Sequence, residues 1–153
     1  INKLSRNEIS DLHNEISSVD ESNDLINNLG VKDNITLPLI SVNKRKGEIE
    51  IALKELVSWL NIEKILEKDT KSLSNYEKKL VKFARAIITR PRILLLDNFF
   101  MNTDSDMQKK ISYLLLALKK IGTTIVTFSA EMNNSLLEFS ESYEIKNFSL
   151  VKL

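Results

Sequence analysis

A continuous apolar run, Ile93-Leu94-Leu95-Leu96, ends in Asp97-Asn98. Such a run reads as a strand covered on both faces. A strand of that kind delivers its last residues to the carboxyl edge of a sheet, where ligands bind. Asp97 is thereby placed either to meet a ligand or simply to open a loop, and Asn98 beside it cannot accept a proton at neutral pH. Upstream, Leu73-Ser74-Asn75-Tyr76-Glu77 carries the S-x-x-E spacing in which hydroxyl and carboxylate satisfy the orphan N–H groups of a helix start. Taken alone, that pair is a helix cap. His13 has no histidine, cysteine or paired carboxylate at ligand spacing and reads as a surface residue. Lys78, Lys79 and Lys82 read as a solvated helix face, with anionic lipid contact the minor alternative.

The elements that hold these groups follow from caps, periodicity and breakers. Ser5-Arg6-Asn7-Glu8 has the capping-box form and predicts a short helix to about Asn14. Residues 16–34 are polar and weakly periodic, so mostly loop with short elements. Pro38 predicts no regular helix across Ile35 to Ile40. Apolar residues at Ile49, Leu53, Leu56, Val57 and Leu60 predict an amphipathic helix over 47–60, with a short continuation from Ile62 to Leu66. Trp59 on that helix is core or an exposed anchor for a partner. Ser74 then opens a helix with Leu80, Ala84, Ile87 and Ile88 on one face, ended by Pro91. Ser105-Asp106-Met107-Gln108 predicts the cap of another, burying Ile111, Leu114, Leu115 and Leu118 and stopped by Gly122 in a left-handed conformation. Thr123 to Phe128 is β-branched and aromatic, a second buried strand. Strand, helix and strand in this order predict a right-handed βαβ unit in a parallel sheet, and Glu144 to Leu153 could add edge strands.

Composition bounds the rest. At 153 residues, the chain is one domain's worth, read as a single unit over 1–153 with a helical subdomain at about 47–90. A net charge of +1 gives no polyanion footprint, so no nucleic-acid partner is implied. Zero cysteines exclude disulfides and thiolate metal sites. No apolar run approaches a membrane span of ~18 residues, and the start at Ile1 lacks a signal-peptide core. A cytosolic setting is the default. Ile1 is not an initiator methionine, so the chain is expected to be processed, trimmed or part of something longer. Only three glycines are present, which matters because phosphate-cradling loops are built from glycine.

Leu73 to Glu77 and Ile93 to Asn98 together resemble the signature helix and Walker B strand of an ABC-type ATPase. The likeness runs on. Asp33-Asn34-Ile35-Thr36-Leu37-Pro38-Leu39 resembles the Glu-Asn-Val-x-Leu-Pro-Leu element, and Ile16 to Leu39 aligns without gaps to the stretch from the Q-loop strand to that element. Gly122-Thr123-Thr124-Ile125-Val126-Thr127 resembles the strand leading to the switch histidine. The branch is similar to the ATPases of lipoprotein release, cell division and MacB-type efflux. The resemblance covers essentially the whole chain, as the later part of a nucleotide-binding domain.

What the resemblance implies at each position is mostly loss. The phosphate loop G-x-x-x-x-G-K-S/T does not occur; Gly30, Gly47 and Gly122 are isolated. The Q-loop glutamine falls on Glu21, the glutamate that polarises water on Asn98, and the switch histidine on Ala130. Losing a general base alone costs about 10²–10⁴-fold in rate. The signature glycines are Asn75 and Tyr76, placing side chains where a partner's γ-phosphate would meet the helix N-terminus. Ser74, Asp97 (a Mg²⁺ ligand through water) and the D-loop Asp104 are retained as the family's cofactor-binding positions. Phe99 and Phe100 replace the Pro-Thr that follows Walker B, and one of them is expected to fill the nucleotide's space.

The expectation is thus an α/β, P-loop NTPase-like parallel-sheet core with a helical subdomain, missing the N-terminal P-loop part. It carries no intact catalytic residue and no cofactor of its own, and acts as a non-catalytic subunit. It would lie in the cytoplasm on the inner face of the membrane, docked on a transmembrane permease subunit or on another ABC ATPase domain as homo- or heterodimer. The alternative is an enzyme using Mg-ATP, complete only with upstream sequence or a partner. A soluble regulatory scaffold is the third class.

Overall fold

The computed structural model describes residues 5, 8, 9, 12, 15–20, 24–101, 103–129 and 139–153. Three parallel strands, β1 (Ile16–Val19), β2 (Ile93–Asp97) and β3 (Thr124–Phe128), pair in the order β1-β2-β3. Ile16 and Thr124 flank Ile93, and Phe128 lies beside Asp97. Four helices follow β1, α1 (Val31–Ser41), α2 (Lys46–Leu60), α3 (Asn75–Ile87) and α4 (Ser105–Lys120), and ahead of β1 the described Glu8, Ile9, Leu12 and Glu15 are also helical. Short 3-10 turns at Glu63–Ile65 and Thr70–Ser72 join α2 to α3. The last strands, β4 (Tyr143–Lys146) and β5 (Ser149–Lys152), form an antiparallel hairpin of their own and do not extend the parallel sheet.

Alternation along β2 decides where the core sits. Leu94 and Leu96 are fully buried, in one cluster with Val19, with Leu80, Phe83 and Ala84 of α3, and with Ile111, Leu115 and Leu118 of α4; Ile125 packs against its edge. Ile93 and Leu95 point the other way and stay half-exposed outside that cluster. The run from Ile93 to Leu96 is therefore covered on one face by the described elements, not on both as its composition predicts.

α3 begins where its sequence says. Ser74 Oγ accepts from Glu77 N–H at 3.2 Å while the Glu77 carboxylate accepts Ser74 N–H at 2.8 Å. α2 buries Leu53, Leu56, Val57 and Leu60, and Asn61 ends it in a left-handed turn at φ 54°. Trp59 is exposed. α4 starts one residue earlier than expected: Asp104, not Ser105, is the cap, its carboxylate accepting Met107 N–H at 2.8 Å. Gly122 closes α4 at φ +100°, as the sequence implies.

The stretch 16–34 holds more order than its polarity suggests, with β1 at one end and α1 beginning at Val31. Pro38 sits inside α1, which runs through it. An interior proline costs a helix about 3 kcal/mol. Burying Val31, Ile35 and Leu39 offsets that cost. Asn34 fixes the approach to α1. It is fully buried, accepts Ile26 N–H at 2.8 Å, and donates to the carbonyls of Ile26, Leu29 and Gly30 at 3.1, 3.2 and 3.0 Å. Thr70 Oγ1 also donates to Leu29, joining this loop to the turn before α3.

Asn34→Ala strips the buried backbone of residues 26–30 of this partner and is expected to lower the unfolding free energy by about 2–4 kcal/mol. Urea denaturation measures it; a loss under ~0.5 kcal/mol would mean water satisfies those groups.

Candidate functional site

The chemistry suggested by Asp97 depends on what the carboxyl end of β2 presents. Asp97 is exposed at the last position of the strand. Asn98 then turns the chain with φ 48°, a left-handed conformation that asparagine tolerates better than most residues. Its N–H donates to Phe128 at 2.9 Å, and its carbonyl accepts from Met101 N–H at 3.0 Å. The Asn98 Oδ1 is buried and accepts no hydrogen bond from any described residue. The side chain that follows Asp97 is therefore an amide without the basicity to draw a proton from water, and its oxygen is buried although the residue itself lines both clefts at this edge.

Two open clefts meet at this edge. One, of about 710 Å³, lies over Ser18, Leu95, Asp97 and Phe128. The other, of about 470 Å³, lies between α3 and the segment after β1, with Asp24, Asn27, Lys78, Lys82 and Asp97 on its walls. Space beside Asp97 is thus open, apolar toward Leu95 and Phe128 and charged toward Asp24, Lys78 and Lys82. Phe99 forms part of the wall of the second cleft, its ring buried against Phe83 with centroids 5.5 Å apart, and Phe100 meets it edge-on at 5.6 Å, so the cleft stays open with one aromatic ring at its side.

The lysine face of α3 is engaged, not merely solvated. Lys82 Nζ lies 3.1 Å from the Asp24 carboxylate, and Arg85 donates from both terminal nitrogens to the Asp24 carbonyl at 3.2 Å each. Burial lowers the Arg85 pKa, while Asp20 and Asp24 act to raise it. Lys79 Nζ donates to the Met101 carbonyl at 2.6 Å and sits over the Phe99 ring. These cations tie the segment after β1, and the loop after β2, to α3. Sequence reasoning missed this role; the i, i+3 spacing of Lys82 and Arg85 hints at a shared face, but nothing local marks Asp24 as their partner.

Ser74 and Asp104 are the caps of α3 and α4. Tyr76, in the first turn of α3, feels the carboxylates at the start of α4. Its phenol pKa is raised, first by partial burial and then by the Asp104 and Asp106 carboxylates. Asn75, not Ser74, reaches the cleft beside Asp97. Glu21, Ala130 and His13 lie outside the described residues.

The residues present do not fit a self-sufficient Mg-ATP site. No glycine precedes a Lys-Ser or Lys-Thr pair. Among the described residues, no group of three or more His, Cys, Asp or Glu side chains could hold a metal ion. Asp97 is followed by an amide, Asn98, and not by a second carboxylate.

Comparison with known proteins matches residues 1–101 to the family described as ABC transporter. The lipoprotein-releasing system ATP-binding protein LolD of Neorickettsia sennetsu is 29% identical over 137 residues, covering 90% of this chain and 61% of that protein. The molybdate/tungstate import ATP-binding protein WtpC of Methanocaldococcus jannaschii is 37% identical over 103 residues, covering 67% of this chain and 35% of that one. Among solved structures, the dimeric post-hydrolysis state of the ATP-binding cassette MJ0796, bound to ADP and Pi, superposes with a TM-score of 0.76 at 26% identity. It covers 88% of this chain and 60% of that one. The chain thus spans less than two thirds of the length of these relatives.

The cap of α3 carries a measurable electrostatic signature. The Glu77 carboxyl is held down to about 2 from 4.5, first by the Lys68 ammonium at 2.8 Å and then by Ser74. Because the folded value lies below the unfolded one, this contribution is present above pH 4.5 and is lost as pH falls toward 2. Glu77→Gln should therefore flatten the acid-side fall in stability across that window, read as melting temperature against pH. An unchanged slope would show that Glu77 titrates as a free carboxyl.

Proposed function

The chain belongs to the ABC transporter family, and on that footing we propose that it serves as a non-catalytic, ATPase-like subunit of a membrane complex. The observation that carries this reading is Asn98: at the position that should polarise water stands an amide whose oxygen is buried. The reading takes the chain as one degenerate domain with a helical subdomain at about 47–90. It places the chain in the cytoplasm on the inner membrane face, and among the described residues no helix is long and apolar enough to cross a membrane. The complex is of the lipoprotein-export, efflux or cell-division kind, and the likeness to the lipoprotein-releasing ATP-binding protein supports that class.

Docking on a transmembrane subunit is supported by the outer side of the helical region. Ile51 of α2 is 62% exposed and Trp59, two turns on, is 42% exposed. Apolar side chains at helical spacing with no cover are what a partner surface offers. In this mechanism the chain holds the assembly together or passes motion along α3, with no turnover of its own.

A second reading has an observation of its own. Ser74 and Asp104 are exposed at the starts of α3 and α4, and the solved relative is dimeric. The chain would then lend these positions to the nucleotide of a complete partner ATPase, or be completed by upstream sequence into an Mg-ATP enzyme.

Titration calorimetry of the 153-residue chain with Mg-ATP is expected to give no binding heat; micromolar affinity would sink the non-catalytic reading. The double variant Ile51→Glu with Trp59→Glu should release the chain from its membrane partner in co-purification while changing stability by no more than about 0.5 kcal/mol. For the second reading, Asp104→Asn keeps a helix cap yet should slow the ATPase of a partner subunit. No change in that rate would rule out a lent D-loop.

A further inference from the structure

The two sides of α4 differ in kind. Its inner side buries Ile111, Leu114, Leu115 and Leu118. On its outer side Lys109, Tyr113, Leu116 and Lys120 follow at helical spacing and form one stripe along the axis. All four are exposed, Tyr113 by 73%. Ile121, at the end of the helix, is exposed as well.

The charge along this stretch has a single sign. From Met107 to Phe128 the chain holds Lys109, Lys110, Lys119 and Lys120 and neither aspartate nor glutamate, although its net charge is only +1. Among the described residues, none of these four lysines is paired with a carboxylate. Acidic groups approach only from the margins. Asp104 and Asp106 stand at the first turn, and Glu63 acts on the half-buried Lys110. Lys119 donates to Ser140 Oγ at 3.3 Å, and the adjoining Glu141 is taken by Lys152. The exposed side of α2 has no such bias: Glu48, Glu50, Lys54 and Glu55 flank Ile51 in sequence.

We infer that the outer face of α4 rests on an anionic lipid surface, with Tyr113 and Leu116 at headgroup level and Lys109, Lys119 and Lys120 against the lipid phosphates. Lysine can keep its stem among apolar groups while its ammonium reaches a headgroup, and tyrosine suits the same boundary. A bilayer fits this face better than an acidic peptide does. Bound peptides use a groove or a strand edge, and neither cleft at the end of β2 includes a residue of α4. Contact through so few groups is weak and reversible, so it orients a chain that a membrane partner already holds. The inference rests on the inner-face placement proposed above, and it needs neither a permease nor nucleotide. Its failure on lipid alone would leave the co-purification and calorimetric results to stand by themselves.

The chain has no cysteine, so Leu116→Cys can carry a single environment-sensitive label, with Ile51→Cys as the control on α2. Vesicles of mixed phosphatidylcholine and phosphatidylserine at low salt are expected to blue-shift the Leu116→Cys label and leave Ile51→Cys unchanged. High salt should release the chain. Each lysine near such a surface contributes about a fivefold factor in partitioning. Lys109→Gln with Lys120→Gln should therefore weaken co-sedimentation about 25-fold, while the charge-matched control Lys46→Gln with Lys71→Gln leaves it unchanged. Absence of binding, equal binding to phosphatidylcholine alone, or a shift at Ile51→Cys in place of Leu116→Cys overturns the inference. So does equal weakening by the two lysine pairs. Polyglutamate that shifts the Leu116→Cys label when vesicles do not would make the occupant an acidic polypeptide and would likewise overturn it.

Discussion

The one-sided burial of β2 is the constraint on which the remaining architecture depends. Both edges of this strand are paired, and Leu94 and Leu96 project from the same side into the space that α3 and α4 enclose. Phe83 of α3 and Ile111 and Leu115 of α4 lie in the same buried cluster as these two leucines. Full burial of a leucine side chain is worth about 1.5–3 kcal/mol, so this short strand supplies a large share of what holds the layers together. The same pleat that sends Leu94 and Leu96 inward turns Leu95 and Asp97 to the opposite side, where the clefts lie.

That geometry separates ancestry from chemistry. The strand, the helix that precedes it and the helix that follows are built as in the family, and their ends converge on one sheet edge. The groups delivered there are held by contacts within the chain. Asn98 is spent on turning the chain and contacting β3, and the cations of α3 hold Asp24 and Met101.

How much of this was legible depended on whether the determining interaction was local. Ser74 and Glu77 were readable because a capping box is a contact across three residues. The faces of α2, α3 and α4 were readable from period alone. Asp104 was misplaced by one residue because Ser105 is an equally good cap in sequence, and only the Met107 contact decides. Pro38 was misread because local cost argues against a helix that distant burial of Val31 and Ile35 secures. β1 hid because Ile-Ser-Ser-Val carries little apolar signal and owes its form to its pairing with β2. At the site, residue identities were legible and side-chain directions were not. The turn at Asn98 depends on a positive φ, and the burial of Phe99 on Phe83, 16 residues earlier in the chain.

The Asn34 hub bears on the order in which the chain acquires structure. Its side-chain bonds reach back only four to eight residues. Closing such short loops costs little chain entropy, whereas β1 can find β2 only after the whole helical region between them has been reeled in. Contacts near in sequence form fast and distant pairings form slowly. The loop at 26–30 can therefore close on Asn34 while the sheet is still open, whereas α1, whose Pro38 needs the burial of Val31 and Ile35, is completed only once the later helices have arrived.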